Sequence, residues 1–357
     1  MAGERRSGCL KGSLERFFQM NTRKGIIAGG NWIVDAVKMI DTWPQQDALT
    51  SIRSQSRGTG GSPFNVLVDL AMMGATFPLN AVGLVGNDGH GKFILNHCLG
   101  LGINTQSLQI TDEAPTSYTD VMTVIGSGRR TFFHARGANA LLDSSHFDFR
   151  DTTARHFHLG YLLLLDTLDG VHPEFGTVAA EVLSRAQAAG LKTSIDVVSE
   201  DSDRFKKVVV PALKYTDYCI MNEFEIGRVT GVEARQGDTL DQARLREAME
   251  RLLEHGVRER VIIHFPEGAM ALGRDGSFAK HGSVVLPNGY IKGAAGAGDA
   301  FTAGVLFGWH EGQTVEEQLR LGVCAAAANL SEETCTDGMK SVGDCAALGV
   351  THGFRSI

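Results

Sequence analysis

The sequence lacks the features of a membrane protein or a nucleic-acid-binding protein. No uninterrupted apolar run reaches the roughly 18 residues that a membrane-spanning helix needs. The formal net charge is -7, and basic residues occur only in short clusters, whereas a nucleic-acid-binding domain usually carries a basic stripe. There is no internal repeat and no low-complexity tract. We therefore expect neither a membrane nor a nucleic acid as a partner.

Cysteine is scarce and scattered, at positions 9, 98, 219, 324, 335 and 345. None of these residues forms a Cys-x-x-Cys pair, so the sequence predicts neither a zinc knuckle nor a thioredoxin-like redox site. Isolated cysteines in a chain of this length are typical of reduced proteins. We therefore expect a cytoplasmic location.

A dinucleotide-binding fingerprint is also missing. A Rossmann dehydrogenase needs Gly-x-Gly-x-x-Gly directly after its first strand. The predicted first strand, Gly25–Gly30, is followed by Asn31 and Trp32, and the required spacing does not occur. This excludes a dehydrogenase of that kind.

The chain does contain the material for a large core. Of its 357 residues, 43% are hydrophobic, and from Gly25 onward buried strands alternate with helices. Such alternation predicts an α/β fold with a mostly parallel sheet covered on both faces. We expect one domain over residues 25–345 and a C-terminal tail over residues 346–357.

Residues 1–24 differ from the rest, with six basic residues against two acidic ones and no apolar signal-peptide core. We interpret them as a flexible leader. A short amphipathic targeting helix and a true start at Met20 are the alternatives.

A glycine- and alanine-rich loop, Lys292–Gly298, runs directly into a helix predicted over Ala300–His310. Gly296 and Gly298 allow a sharp turn and a close approach of ligand to the backbone amides. Free N–H groups at a helix N-terminus form an anion site. Asp299 beside that site suits a base that takes a proton from a hydroxyl while the loop holds developing phosphate charge. A tight loop with Asp299 as a simple helix cap is the alternative.

A second helix start carries a glycine pair. Ser62 as N-cap and Pro63 at the first helical position predict the start of a helix. The cap and the proline account for the helix start, but they give no reason for the glycines at positions 60 and 61. Asn65 lies in the first turn of the helix. The combination suggests a ligand site as well as a capped helix.

Two further polar positions follow predicted strands. Asp35 lies just beyond the end of the first strand, where open α/β sheets bind ligands. Asn222 opens another predicted helix, with Glu225 at its N3 position, as in a capping box. His156 and His158 alternate on a strand and so share one face, but no third ligand is nearby in sequence. We therefore do not predict a metal site at these histidines.

Together these motifs resemble the signatures of the ribokinase-like (phosphofructokinase-B type) carbohydrate kinases. Gly296–Phe301 is similar to the family's hallmark loop, the glycine pair with Asn65 to its N-terminal signature, and Asn222 with Glu225 to its Asn-x-x-Glu motif. The resemblance spans Gly25–Met339. It implies a three-layer α/β sandwich with a small β-sheet lid, built from strands in about 31–60 and 115–136.

The resemblance also implies the activity and the roles of individual residues. The reaction would be transfer of the ATP γ-phosphoryl to the hydroxymethyl group of a sugar, with Asp299 as general base. The loop residues implied in catalysis are Gly296, Ala297 and Gly298. The implied sugar-binding residues are Asp35, Gly60, Gly61 and Asn65. The implied nucleotide-binding residues are Asn222, Glu225, Gly268, Gly296 and Gly298, with Mg²⁺ ordered near Glu225 and Asn222. The implied assembly is a homodimer formed through the lid.

Two departures from the family pattern affect these expectations. Gly293 stands where the family has an Asp that often contributes to a monovalent-cation site, which argues against activation by potassium. Pro266 replaces a glycine in a turn that touches the nucleotide, and proline has no N–H to donate. These departures leave open a non-catalytic sugar- or nucleotide-binding regulator. A nucleoside kinase of the same fold is a further alternative, because a ribosyl group offers the same primary hydroxyl.

Overall fold

The computed structural model describes residues 23–127, 129–200 and 202–357. Residues 1–22, which make up most of the predicted leader, and Cys9 lie outside these ranges. The five cysteines within them are all buried and unpaired. Among the described residues, no helix combines the length and the apolar character needed to cross a membrane.

The strands and helices alternate along most of the chain. The strands are β1 Ile26–Gly30, β2 Ile33–Ile40, β3 Ile52–Gly60, β4 Leu79–Gly86, β5 Asn104–Thr111, β6 Tyr118–Val124, β7 Arg130–Ala135, β8 His156–Leu162, β9 Val171–His172, β10 Gly176–Thr177, β11 Lys192–Val197, β12 Tyr218–Asn222, β13 Arg235–Gln236, β14 Thr239–Leu240, β15 Arg260–Phe265, β16 Gly268–Gly273 and β17 Phe278–Gly282. The helices are α1 Ser62–Met72, α2 Gly89–Gly100, α3 Val178–Ala188, α4 Phe205–Leu213, α5 Glu223–Thr230, α6 Gln242–His255, α7 Ala297–His310, α8 Val315–Asn329 and α9 Val342–His352.

The central sheet has nine strands in the order β17-β16-β15-β12-β11-β8-β1-β4-β5. The pairs from β15 to β5 are parallel, and only β16 and β17 run antiparallel at one edge. Because the parallel strands end at the same edge, residues that follow β1, β8, β11 and β12 are brought together there.

Helices cover both faces of this sheet. Successive side chains of a strand point to opposite faces, and β1 shows this directly. Ile27 packs in the core shared with α3, α4, α5 and α6, whereas Ile26 and Ala28 pack in the core shared with α1, α2, α7, α8 and α9. The three layers predicted from the sequence are therefore confirmed.

A second sheet of four strands, in the order β3-β2-β6-β7, extends from the central one. We call it the lid. Its outer part is thinly covered, and β3 is exposed on both faces from Ile52 to Arg57. At its inner end, Thr59 Oγ1 lies 3.0 Å from Thr336 Oγ1, which joins the lid to the segment after α8.

The hairpin before the glycine-rich loop pairs Gly268–Gly273 with Phe278–Gly282. One local expectation differs from the structure. The boundary placed at residues 345/346 falls inside helix α9. The final residues also pack on the domain, since the Arg355 N–H donates to the Ser283 carbonyl (2.8 Å). The last segment is therefore an integral part of the fold.

Candidate active site

The glycine-rich loop meets helix α7 at the edge of the sheet where the parallel strands end. Gly296 is the N-cap residue and has a left-handed backbone, with φ of 76°. A Cβ at this position would lie 2.4 Å from the Cys335 carbonyl oxygen, so only glycine fits. Gly298 lies against the His264 ring, to which a Cβ would come within 3.2 Å. The loop is therefore held tightly from two sides, with the helix N-terminus behind it.

Asp299 occupies the first turn of α7 and is 2% exposed. Its Oδ2 accepts hydrogen bonds from Asn65 Nδ2 (2.8 Å) and from the Tyr161 hydroxyl (2.7 Å). Its Oδ1 has no partner among the described residues. Burial raises the pKa of Asp299, and the bonds from Asn65 and Tyr161 act in the opposite direction. One oxygen is thus fixed and the other is left for a ligand.

Sequence reasoning did not identify Tyr161. It lies near the end of β8, with no motif around it, and its ring is buried beside Asp299. One signal could have suggested it. Tyr161 lies at the C-terminal end of a parallel strand next to β1, and ligand-binding residues of open α/β sheets follow the C-terminal ends of such strands.

Helix α1 brings the glycine pair and Asn65 to the same place. A Cβ on Gly60 would lie 2.5 Å from Asp35 Oδ1, and one on Gly61 would lie 2.1 Å from the Asn31 carbonyl oxygen. Close packing therefore accounts for both glycines. Gly61, not Ser62, is the N-cap residue, so the predicted cap at Ser62 is wrong. Ser62 Oγ lies instead 3.0 Å from Nε2 of His158, a buried histidine on β8.

Asp35 lies on lid strand β2 and faces the loop across a small pocket. Burial raises the pKa of Asp35 to about 6, while the bond from Cys335 and the positive charge of Arg130 lower it. Cys335 Sγ lies 3.5 Å from Asp35 Oδ2. The lining side chains nearly fill this pocket, which has a cavity volume of about 10 Å³. It lies between the lid, Ala295 and the segment after α8.

Arg130, on lid strand β7, lines the same pocket and was not identified from the sequence. Its Nη2 donates to the Glu333 carbonyl oxygen (3.3 Å). A Cβ on Gly293 would lie 2.4 Å from this nitrogen. The glycine at position 293 therefore makes room for a guanidinium group from the lid.

Asn222 and Glu225 form the capping box that their spacing predicts. Asn222 Oδ1 accepts from the N–H groups of Phe224 and Glu225, each at 2.9 Å, and Glu225 Oε2 accepts from the Asn222 N–H (2.8 Å). Glu225 Oε1 also accepts from the Ser199 hydroxyl (2.6 Å). Burial raises the pKa of Glu225 to about 7.

A second buried carboxylate, Asp196 at the end of β11, faces the same place. Burial raises its pKa, and the negative charges of Glu225 and Asp299 raise it further. Glu225, Asp196 and Asp299 are therefore three buried acidic side chains that lie near enough to influence one another.

Gly268 stands apart from this group. It begins β16, pairs with Gly282, and lies against the His281 carbonyl oxygen, to which a Cβ would come within 2.4 Å. Packing in the hairpin thus accounts for the glycine, and its contact with a nucleotide stays a prediction.

The arrangement has the parts of a phosphoryl-transfer site: a carboxylate with an oxygen that no described residue binds, a helix N-terminus and further buried acids nearby. A family model described as pfkB family carbohydrate kinase matches residues 31–341. The chain belongs to this family. It is a carbohydrate kinase, a phosphotransferase with an alcohol group as acceptor, as the sequence predicted.

Similar proteins agree with this assignment. A 5-dehydro-2-deoxygluconokinase from Bacillus anthracis is 24% identical over 350 residues, covering 93% of this chain and 96% of that protein. One from Listeria innocua is 23% identical, covering 90% and 95%. Among solved structures, Arabidopsis thaliana ribokinase complexed with ribose and ATP has a TM-score of 0.73 at 21% identity, covering 91% and 98%. These structures confirm the ribokinase-like fold of the sugar kinase described here.

Proposed function

We propose that this kinase phosphorylates a small sugar acid and that Asp299 is the general base. The observation that carries the choice of substrate is the position of Arg130, which lines the pocket that also holds Asp35. The carboxylate of Asp35 is acceptor-only when ionised and suits sugar hydroxyls. A guanidinium group in the same pocket suits a carboxylate on the substrate.

The relatives support an anionic substrate. Curated relatives that match nearly the whole chain are named 5-dehydro-2-deoxygluconokinase, and that name specifies a sugar with a carboxylate group. A neutral sugar or a nucleoside would leave the Arg130 charge without a counterpart in the substrate. We therefore prefer a sugar acid to the nucleoside alternative.

In the proposed transfer step, Asp299 Oδ1 takes the proton from the hydroxymethyl group of the substrate as its oxygen attacks the γ-phosphorus of ATP. The bond from that phosphorus to the β–γ bridging oxygen breaks, and ADP leaves. The amides at the start of α7, with Gly296, Ala297 and Gly298, hold the transferring phosphoryl group. Asn65, Gly60 and Gly61 hold the sugar. The chemistry depends mainly on positioning and charge stabilisation.

The residues present fit a magnesium ion delivered with ATP. Mg²⁺ takes few protein oxygens and keeps most of its waters. Burial raises the pKa of Asp196, and the negative charges of Glu225 and Asp299 raise it further, so acidic oxygens of the kind that Mg²⁺ prefers are gathered here. Glu225 and Asn222 would order the hydrated ion, which supplies positive charge to the phosphates.

The experiment that tests the substrate class is ADP release with matched pairs of acidic and neutral substrates. The acidic members are 5-dehydro-2-deoxygluconate and 2-keto-3-deoxygluconate, and the neutral ones are ribose, fructose and adenosine. We expect kcat/KM to be highest for an acid. Arg130→Gln should raise the KM for that acid by about 10- to 100-fold, the effect of losing one hydrogen bond to a charged group.

Arg129→Gln is the matched control, because Arg129 is exposed and lies one residue away on the same hairpin. It should leave the KM unchanged. Equal KM values for the acid in wild type and Arg130→Gln, or a clear preference for a neutral sugar, would refute the sugar-acid assignment while leaving the kinase activity intact.

We also propose that the enzyme is a cytoplasmic homodimer that associates through the lid. Large apolar side chains are exposed on the lid and its flanking turns, among them Trp43, Phe132 and Phe133. The unpaired cysteines are consistent with a reducing compartment. Light scattering should give the mass of a dimer, and Phe133→Lys should shift it towards the monomer. A monomeric wild type would contradict the assembly.

A further inference from the structure

Asn31, the residue after strand β1, is fully buried and bonds at three positions to the end of strand β8 and the turn that follows it. Its backbone N–H donates to the Gly160 carbonyl oxygen (2.9 Å). Its Nδ2 donates to the Leu164 carbonyl oxygen (3.0 Å), and its Oδ1 accepts from the Tyr161 N–H. Asn31 therefore fixes the backbone over residues 160–164.

Asparagine suits this position because its side chain meets two backbone groups of opposite kind. The Tyr161 N–H needs an acceptor, whereas the Leu164 carbonyl oxygen needs a donor, and one amide supplies both. An ionised aspartate has acceptors only, and an aliphatic side chain has neither. With either of these, at least one of the two backbone groups would lose its partner beside a buried residue, which is unfavourable. The two side-chain bonds thus depend on the amide of Asn31.

The backbone that Asn31 fixes carries a hydroxyl of the active site. The Tyr161 hydroxyl donates to Asp299 Oδ2 (2.7 Å). Among the described residues, the side chains that hydrogen-bond to Tyr161 are those of Asn31, at its N–H, and Asp299, at its hydroxyl. Asn31 and the carboxylate are therefore linked through a single residue, by direct contacts at both of its ends.

Asn31 also touches the element that carries the other donor to Asp299. Its carbonyl oxygen packs under Gly61, the N-cap residue of α1, and Asn65 of that helix donates to Asp299 Oδ2 (2.8 Å). This second contact is made by the backbone of Asn31, whereas the link to Tyr161 is made by its side chain. A substitution at residue 31 therefore breaks the link to Tyr161 and keeps the backbone contact with α1.

We propose that Asn31 is a positioning residue for the base: its amide holds the backbone of Tyr161 so that the tyrosine hydroxyl stays against Asp299 Oδ2. The catalytic consequence rests on the role proposed above for Asp299. Asn31 acts through Tyr161, and its loss should therefore appear in kcat and not in the KM for ATP.

The kinetic test is a double-mutant cycle between Asn31→Ala and Tyr161→Phe. We expect each single variant to lower kcat by about 10-fold, the scale of one hydrogen bond to a charged group. Because both substitutions act on the same bond, the double variant should also lose only about 10-fold. A loss of about 100-fold in the double variant, or equal kcat values for wild type and Asn31→Ala, would overturn the proposal.

Asn139→Ala is the matched control. Asn139 is equally buried, and its side chain also bonds to an N–H and a carbonyl oxygen, both of Trp32, at 3.2 and 3.3 Å. It makes no bond to Tyr161. At a temperature where both variants are folded, Asn139→Ala should keep its kcat. A loss as large as that in Asn31→Ala would show a general loosening after β1 and would overturn the specific role of Asn31.

A second measurement does not depend on turnover. The chain has five tyrosines, so ¹⁹F NMR of the full-length protein labelled with 3-fluorotyrosine gives few signals, and Tyr161→Phe assigns the one that matters. We expect Asn31→Ala to shift or broaden the Tyr161 signal and Asn139→Ala to leave it in place. An unchanged Tyr161 signal in Asn31→Ala would overturn the positioning role. If no substrate is turned over at all, the proposed function fails, and this signal still decides whether Asn31 positions Tyr161.

Discussion

At Asp299 the two carboxylate oxygens have different surroundings, and this difference determines which one can react. Oδ2 is held by Asn65 and Tyr161, whereas Oδ1 has no partner among the described residues. A carboxylate held by two donors through one oxygen cannot rotate freely, so the other oxygen points in a fixed direction. The positions of Asn65 and Tyr161 therefore matter for the proposed base as much as its charge does.

Replacement of Tyr161 by phenylalanine tests this arrangement. Tyr161→Phe removes one of the two donors to Asp299 Oδ2, so the base loses orientation while the ring still fills its place. We expect kcat to fall by about 10-fold, with the KM for ATP unchanged. Steady-state kinetics at saturating substrate measure both.

Tyr218→Phe is the matched control. The Tyr218 hydroxyl also donates to a carboxylate, Glu259 Oε2 (2.6 Å), but far from the glycine-rich loop. This variant should keep its kcat. A Tyr161→Phe enzyme as active as the control would show that Asn65 alone orients the base.

On the scale of elements, helix α7 begins where the glycine-rich loop packs against the segment after α8. The contact is between Gly296, the N-cap residue, and the Cys335 carbonyl oxygen. Gly296 and Gly312 both have left-handed backbones, but a Cβ on Gly312 would meet nothing within 4 Å. Gly312→Ala should therefore cost only the backbone strain, about 1–2 kcal/mol. Gly296→Ala should cost more and should also lower kcat, because the Cys335 carbonyl must move.

Chemical denaturation and kinetics of the two variants measure this difference. Similar unfolding free energies for the two, with activity retained in Gly296→Ala, would show that the loop tolerates a displacement of the segment after α8.

Helix α1 contains a buried acid without a partner. Neither carboxylate oxygen of Asp69 has a hydrogen bond among the described residues. Burial raises the pKa of this side chain well above its usual range. The folded state then retains a proton that the unfolded state loses above about pH 4. Stability must therefore fall as the pH rises, by about 1.4 kcal/mol per unit until the folded-state pKa is reached.

Asp69→Asn removes this titration. We expect the variant to exceed the wild type in unfolding free energy at about pH 8 and to lose most of that advantage at about pH 5. Asp217→Asn is the control, because Asp217 is buried but accepts a bond from the Thr193 N–H (2.9 Å), and its loss should destabilise. A constant difference between Asp69→Asn and wild type across pH would contradict the account.

Elements whose ends depend on local contacts could be predicted from the sequence. The capping box at Asn222 with Glu225 is present as its spacing predicts. Ser62 has the same local signal and yet does not cap α1. Its hydroxyl bonds to His158, which is distant in sequence, so a tertiary contact replaces the local one.

On the scale of the whole molecule, the order of strands brings the site together. The motifs around Asp35, Asn65, Asn222 and Asp299 could be read from the sequence because each has a recognisable spacing. Tyr161 and Arg130 could not be identified from the sequence, because each is recognised only by a contact with another part of the chain. Tyr161 bonds to Asp299, and Arg130 bonds to the Glu333 carbonyl oxygen. His156 and His158 show the same limit, because their alternation reveals a shared face but not Ser194 on the neighbouring strand, which lies within hydrogen-bond distance of both rings.

The lid adds a second level of assembly. It supplies Asp35 from β2 and Arg130 from β7, while the central domain supplies the proposed base and the helix start proposed to hold the phosphoryl group. In this proposal neither part has a complete site alone. The proposed transfer therefore requires the lid to lie against the glycine-rich loop, as it does in this structure, where Arg130 reaches the Glu333 carbonyl oxygen.

The most direct test of the account is the turnover of Asp299→Asn. Asparagine keeps the size of the side chain and can still bond to Asn65 and Tyr161, but it cannot take a proton at neutral pH. With the best sugar acid and saturating ATP, we predict a loss of at least ~10²-fold in kcat, with nucleotide binding retained. Near-normal turnover in this variant would contradict the role of Asp299 as the base.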